Sequence, residues 1–281
     1  MKILVTGATG FVGRHVINEL LTYDHEIIVA VRNINSEKYW GNKITQVEID
    51  LDNLQPGKNY FVGMQSPDLL IHLAWQGLPN YKQSFHVEKN LPSHSAFLKN
   101  MVINGLQNLV VTGTCFEYGM KEGCLAENMI TDPQNPYAVA KDRLRKFLEE
   151  LQKQNPFILK WVRLFYMYGE GQNPNSLLSQ LEKALQNGDT FFNMSGGEQL
   201  RDYLPIEKVA EYIVKIALQN KTDGIINCCS GSPIKVKTLV ENYLEESNKK
   251  IDLNLGYYPY NDYEPMAFWG DDAKLKTIID E

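Results

Sequence analysis

Val5-Thr6-Gly7-Ala8-Thr9-Gly10-Phe11-Val12-Gly13 joins a short apolar run, Ile3–Val5, to a helical pattern near residues 11–22. A second apolar run follows at Glu26–Val31. Strand, glycine turn, helix and strand in that order form a βαβ unit. Gly7 lets the backbone turn sharply, Gly10 leaves room for an anion against the chain, and Gly13 allows the helix to pack closely. Unpaired N–H groups at the helix start then face that anion. This expectation is a pyrophosphate cradle, and the bland alternative is a glycine-rich turn with no ligand.

Further apolar runs at Ile44–Ile49, Leu69–Leu73, Leu109–Thr112 and Phe157–Leu164 alternate with helical patterns near 86–104 and 137–153. Several runs are apolar on both faces, as in a parallel sheet covered on both sides. The pattern predicts an α/β fold: a doubly wound parallel sheet (Rossmann) with a smaller C-terminal substrate lobe. Residues 1–165 are expected to form the dinucleotide-binding part, with a return at about 200–228. Residues 166–281 are expected to form the interleaved lobe, because glycine, asparagine, proline and tyrosine crowd the chain there.

The chain has 281 residues, 43% hydrophobic and 22% charged, with a net charge of -6. That balance disfavours nucleic acid, whose binding rests on many Lys and Arg contacts. No stretch approaches the ~18–20 apolar residues of a membrane span. Cys115, Cys124, Cys228 and Cys229 fit no zinc spacing and read as reduced thiols in a cytoplasmic protein.

The second strand ends Val31-Arg32-Asn33, without the carboxylate that would hold the ribose hydroxyls of NAD. Arg32 suits a 2′-phosphate instead, with Arg14 as a second charge. NADP(H) is therefore expected ahead of NAD(H). Asn135-Pro136-Tyr137-Ala138-Val139-Ala140-Lys141 opens a helix with Tyr137 and Lys141 on one face. A phenol near an ammonium becomes a usable acid and base. Val110-Val111-Thr112-Gly113-Thr114-Cys115-Phe116-Glu117-Tyr118-Gly119 follows the fifth strand.

The spacing Thr6-Gly7-x-x-Gly10-x-x-Gly13, the Tyr137/Lys141 pair and the Thr114–Gly119 segment resemble the extended short-chain dehydrogenase/reductase family. Gly113 departs from the first serine of that family's Ser-Ser-x-x-x-Tyr-Gly. The resemblance covers nearly the whole chain. It implies Thr114, Tyr137 and Lys141 as the catalytic group. For the cofactor it implies Thr6, Gly7, Gly10, Phe11, Val12 and Gly13 in the cradle and Asp50-Leu51 at the adenine. Leu73-Ala74 and Thr112 would line the site, and Asn90 would order it. Arg163-Leu164-Phe165-Tyr166-Met167-Tyr168-Gly169 is similar to Arg-x-x-Asn-x-Tyr-Gly, with Tyr166 replacing asparagine. Arg201-Asp202-Tyr203 is similar to a segment whose arginine holds a diphosphate. Its bland reading is an Arg201–Asp202 surface contact.

The resemblance further implies a nucleotide-diphosphate sugar as partner and a possible homodimer. Trp75, Tyr81, Tyr166, Asn175 and Arg201 would contact the substrate, framed by Leu78–Tyr81 and Tyr257–Asp262. His72 reads as a core residue, and His86 and His94 as helix-surface residues. The favoured activity is reduction of the 4-keto group of a nucleotide-linked 6-deoxyhexose, a dTDP-sugar foremost. The alternatives are a 4-epimerase and a cofactor-binding regulatory protein. A dehydratase would carry Asp-Glu where Cys115-Phe116 stand.

Overall fold

A computed structural model of the chain describes residues 1–34, 40 and 43–280. The first half runs β1 (Lys2–Thr6), α1 (Phe11–Leu20), β2 (Glu26–Val31), β3 (Thr45–Glu48), α2 (Tyr60–Gly63) and β4 (Leu69–His72). It continues through α3 (Leu91–Ile103), β5 (Asn108–Thr114), β6 (Gly123–Leu125), α4 (Pro136–Gln154) and β7 (Ile158–Leu164). The second half is β8 (Tyr166–Tyr168), α5 (Leu177–Asn187), β9 (Phe191–Asn193), β10 (Leu200–Arg201), β11 (Tyr203–Pro205) and α6 (Ile206–Leu218). It closes with β12 (Gly224–Cys228), β13 (Ile234–Lys235), α7 (Val236–Glu246), β14 (Asp252–Asn254), β15 (Phe268–Gly270) and α8 (Ala273–Ile279).

Seven parallel strands form the central sheet in the order β12-β7-β5-β4-β1-β2-β3. Apolar side chains alternate to both faces, as the two-sided runs require. Ile3 and Val5 join Val16, Ile17 and α6 residues in one core, while Leu4 joins Phe97, Leu98 and Leu144 in the other. The strand order reverses between β1, which leads outward to β2, and β4. Ligands bind at such a point, beyond the carboxyl ends of the strands. The chain returns through α6 and β12, which completes the sheet beside β7.

The remaining segments build short two-stranded pairs: β8 with β11, β9 with β14, β10 with β13 and β6 with β15. α5 and α7 pack with β9, β13 and β14 around a separate apolar cluster that includes Leu181, Phe192 and Val240, while Leu125 of β6 and Phe268 of β15 join Tyr118 and Phe165 in another. No helix among the described residues is long and apolar enough to cross a membrane. All four cysteines are free, with Cys115, Cys228 and Cys229 buried and Cys124 exposed.

Candidate active site

Gly7 has φ +73°, and a Cβ there would lie 2.6 Å from the Ala74 nitrogen. The loop is therefore pressed against the end of β4 and tolerates no side chain. A Cβ on Gly13 would fall 2.0 Å from the Gly7 carbonyl, so this glycine packs on the loop itself. α1 begins at Phe11 after Gly10, and no side chain caps it. Its first N–H groups are free of any side-chain competitor. The Arg14 Nε is buried without a hydrogen-bond partner. A glycine cradle, an uncapped helix start and an unpartnered guanidinium nitrogen fit a dinucleotide pyrophosphate.

The walls of this crevice are tied together by polar contacts. Leu73 N–H donates to the Thr6 carbonyl, at 3.1 Å. The Thr6 hydroxyl is turned inward, 2.8 Å from His72 Nδ1, and His72 Nε2 lies 2.7 Å from His94 Nδ1. Asn90 donates to the Gln76 carbonyl at 3.0 Å and so fixes the loop after β4. Asp50 caps the turn that begins at Leu51. Bonds from Asn53 and the Asp52 amide hold its carboxyl below the usual range, with Arg32 contributing. Arg32 itself is exposed at the end of β2. Arg14 lies elsewhere, against Gly171 in the loop after β8: its Nη2 is 3.0 Å from where a Cβ would stand.

His86 and His94 are buried, contrary to the expectation of surface positions. Residues 86–90 wind as a π-helical turn that rolls His86 inward. There its Nδ1 receives the Trp75 indole N–H at 3.0 Å. Burial holds His94 neutral, its pKa pushed down to about 3, and holds His72 well below its ordinary value.

Asn135 caps α4 by accepting the Ala138 N–H at 2.9 Å. Tyr137 and Lys141 follow in the first two turns, both buried. The Thr114 side chain at the end of β5 lies near enough to the Tyr137 phenol to lower its pKa. The Lys141 ammonium donates to the Thr112 carbonyl at 2.9 Å and sits 4.1 Å above the Trp75 ring. Burial pushes its pKa down to about 7, against a smaller upward pull from Glu117. Burial also raises the Tyr137 phenol, with Tyr81 adding to the effect and the Thr114 side chain opposing it. Burial thus outweighs the acidifying influences on the phenol. The ammonium is aimed at a carbonyl and an indole face.

The proposed substrate residues are placed unevenly. Tyr81 packs against Tyr137, with ring centroids 5.5 Å apart, and against Phe116 at 5.2 Å. Trp75 is built into the wall: its ring meets Lys141 and stacks with His94 at 4.7 Å, so it is no free platform for a sugar. Asn175 is exposed and lines a separate cleft with Lys183, Phe191 and Tyr258. The Tyr166 hydroxyl donates to Glu264 Oε2 at 2.6 Å. Arg201 is buried and fully engaged. Its Nη2 and Nε reach the same Glu264 oxygen at 3.1 and 3.3 Å, and its Nη1 bonds the Leu200 and Met266 carbonyls. Asp202 turns away to Ser230 and Gly231, so the Arg201–Asp202 contact is absent. Lys82 and Asp262 bridge the framing loops at 3.0 Å.

Two carboxylates here escaped the sequence reading. Glu264 sits in a tyrosine- and proline-rich stretch that offers no spacing signal. Glu117 had one: Thr114-x-x-Glu117 is a capping box, and both of its bonds are present.

Known proteins resemble this chain along its length. A model of the NAD dependent epimerase/dehydratase family matches residues 3–229. The dTDP-6-deoxy-L-talose 4-dehydrogenase (NAD(+)) of Aggregatibacter actinomycetemcomitans is 32% identical over 96% of this chain and 99% of its own. The uncharacterized UDP-glucose epimerase YtcB of Bacillus subtilis is 26% identical, covering 99% and 92%. In fold, the UDP-glucuronic acid 4-epimerase of Bacillus cereus, solved with UDP-glucuronic acid and NAD, superposes with a TM-score of 0.84. It is 22% identical and covers 100% of this chain and 93% of the other.

Proposed function

The chain belongs to the NAD dependent epimerase/dehydratase family, and on that premise we propose that it interconverts the 4-keto and 4-hydroxyl forms of a nucleotide-linked 6-deoxyhexose. The observation that carries this reading is the meeting of Thr114, Tyr137 and Lys141 in one buried group at the end of β5, beside the glycine cradle. The dinucleotide, when bound, supplies or accepts the hydride. Gly7, Gly10, Phe11, Val12 and Gly13 would hold its pyrophosphate, with Leu73, Ala74, Asp50 and Leu51 along its length. Tyr137 moves the proton at the sugar oxygen, and Thr114 bonds that oxygen as charge develops on it.

A 4-dehydrogenase and a 4-ketoreductase catalyse one reaction in two directions. Burial raises the Tyr137 phenol, and the same group gives its proton in the reductive direction and takes one in the oxidative direction. The relative's name, dTDP-6-deoxy-L-talose 4-dehydrogenase (NAD(+)), supports a dTDP-sugar and NAD(H). The exposed Arg32, standing after β2 where an acidic residue would hold the ribose hydroxyls of NAD, supports NADP(H). Mixing the protein with dTDP-4-keto-6-deoxyhexose and NADPH or NADH, and following nicotinamide absorbance, tests both points. Loss of absorbance is expected. If NADPH is the donor used, Arg32→Ala raises its KM about tenfold and leaves NADH alone. A 4-epimerase is the second reading, favoured by the name of the Bacillus subtilis relative. It would change the sugar's stereochemistry with no net consumption of dinucleotide.

A further inference from the structure

Glu117 is wholly buried, at 0% exposure. A carboxylate in that position is costly unless its oxygens are fully bonded. Its Oε1 accepts the Thr114 backbone N–H at 2.9 Å and the Trp161 indole N–H at 3.0 Å. Its Oε2 accepts the Arg163 Nε–H at 2.8 Å, and the Arg145 Nε stands 3.8 Å away. The Thr114 hydroxyl in turn accepts the Phe116 N–H at 3.3 Å. One carboxylate therefore joins three elements: β5 through Thr114, β7 through Trp161 and Arg163, and α4 through Arg145.

Arg145 lies four residues beyond Lys141, on the helix face that carries Tyr137 and Lys141. Gly113 supplies an independent observation. A Cβ there would stand 2.1 Å from the Trp161 Nε1 and 2.4 Å from Glu117 Oε1. The residue that departs from the family's serine is thus the one whose missing side chain makes room for the indole and the carboxylate.

We propose that Glu117 is a positioning residue of the catalytic group, fixing the backbone that presents the Thr114 hydroxyl and tying it to the helix that carries Tyr137 and Lys141. This rests on the functional reading of that group given above. The Glu117 bond to the Thr114 amide is one half of the capping box, and the same carboxylate carries that local motif on to Arg163 of β7 and Arg145 of α4.

The experiment has two readouts on the full chain. The first is hydrogen exchange of the 113–118 segment, which needs no activity. In Glu117→Gln that segment is expected to exchange at least about tenfold faster, with the rest of β5 unchanged. The second is the pH profile of kcat/KM. Removing a negative charge lowers the pKa values of Tyr137 and Lys141 together, so both limbs move to lower pH and kcat falls about tenfold.

Arg145→Gln removes a cation instead, and moves the limbs to higher pH. It serves also if Glu117→Gln does not fold. Unchanged exchange of 113–118 in Glu117→Gln, or limbs that stay in place in the variants that fold, overturns the proposal. A wild-type chain that consumes no dinucleotide, while 113–118 still loosens, sinks the functional reading and leaves the positioning role standing.

Discussion

The two ends of the crevice are prepared in opposite ways. At the cradle, backbone N–H groups at the start of α1 face outward with no side chain standing in for a ligand. At Arg201, the guanidinium is already saturated by Glu264 and two carbonyls. The difference follows from burial. A helix end at the surface can wait in water, whereas a buried cation without a partner is expensive. The cofactor side is therefore ready as it stands. If Arg201 takes the diphosphate of a nucleotide sugar, as proposed from the resemblance, the Glu264 carboxylate has to give way to that anion first.

The chemical group between those ends gives the largest expected effect. Tyr137→Phe removes the proton donor and leaves the ring packed against Tyr81 and Trp75. A loss of kcat of about 10²–10⁴-fold is expected, with dinucleotide affinity unchanged by isothermal titration. Equal turnover by the variant would show that Tyr137 is not the proton donor, whereas an unchanged biological effect of a variant that has lost turnover would favour a regulatory protein that merely binds the dinucleotide. On the cradle side, Gly7→Ala places a Cβ at positive φ and against the Ala74 nitrogen. It is expected to weaken dinucleotide binding ~10–100-fold. Unaltered binding would mean that the loop is not the ready-made site it resembles.

That contrast also explains what the sequence could show. The cradle, the sheet and the Thr114–Tyr137–Lys141 group depend on local spacing, and local spacing is written along the chain. Gly7, Gly13 and Tyr137 could be read without knowing what lies opposite. Arg201 could not, because its partner Glu264 arrives from a distant turn. The same limit misplaced Trp75, His86 and His94. Judged one at a time they look like a sugar platform and two polar surface residues. In the fold they satisfy one another, with the Trp75 N–H on His86 and His94 on His72. Burial of Tyr137 was likewise not legible: a four-residue spacing places Lys141 on the right face but does not say how deeply the phenol lies or that one ammonium proton goes to the Thr112 carbonyl.

The Arg201 end can be tested by relieving its internal competitor. Glu264→Gln keeps a carbonyl acceptor for Arg201 and removes the negative charge. If Glu264 holds the place of the substrate's diphosphate, KM for the nucleotide sugar falls about three- to tenfold with kcat little changed. dTDP would then raise Tm more in the variant than in the wild type. A rise in KM would show that Glu264 supports Arg201 rather than competing with an anion.

The smallest effect separates function from stability at the centre itself. Lys141 carries a pKa of about 7 in the fold, against an ordinary 10.5. Above about pH 10.5 the lysine is neutral whether the chain is folded or not. Between about 7 and 10.5 the unfolded chain holds a proton that the folded chain lacks, so stability rises with pH across that window. Below about 7 the ammonium is charged in both states, and the cost of burying it is fully present. Lys141→Met removes this dependence. It is expected to flatten the Tm–pH curve between pH 7 and 10 and to stabilise the protein most at pH 6–7, by a few degrees, while turnover is lost. A curve with the wild-type slope would mean that Lys141 is charged throughout, held by Thr112 and Trp75 more firmly than burial opposes it.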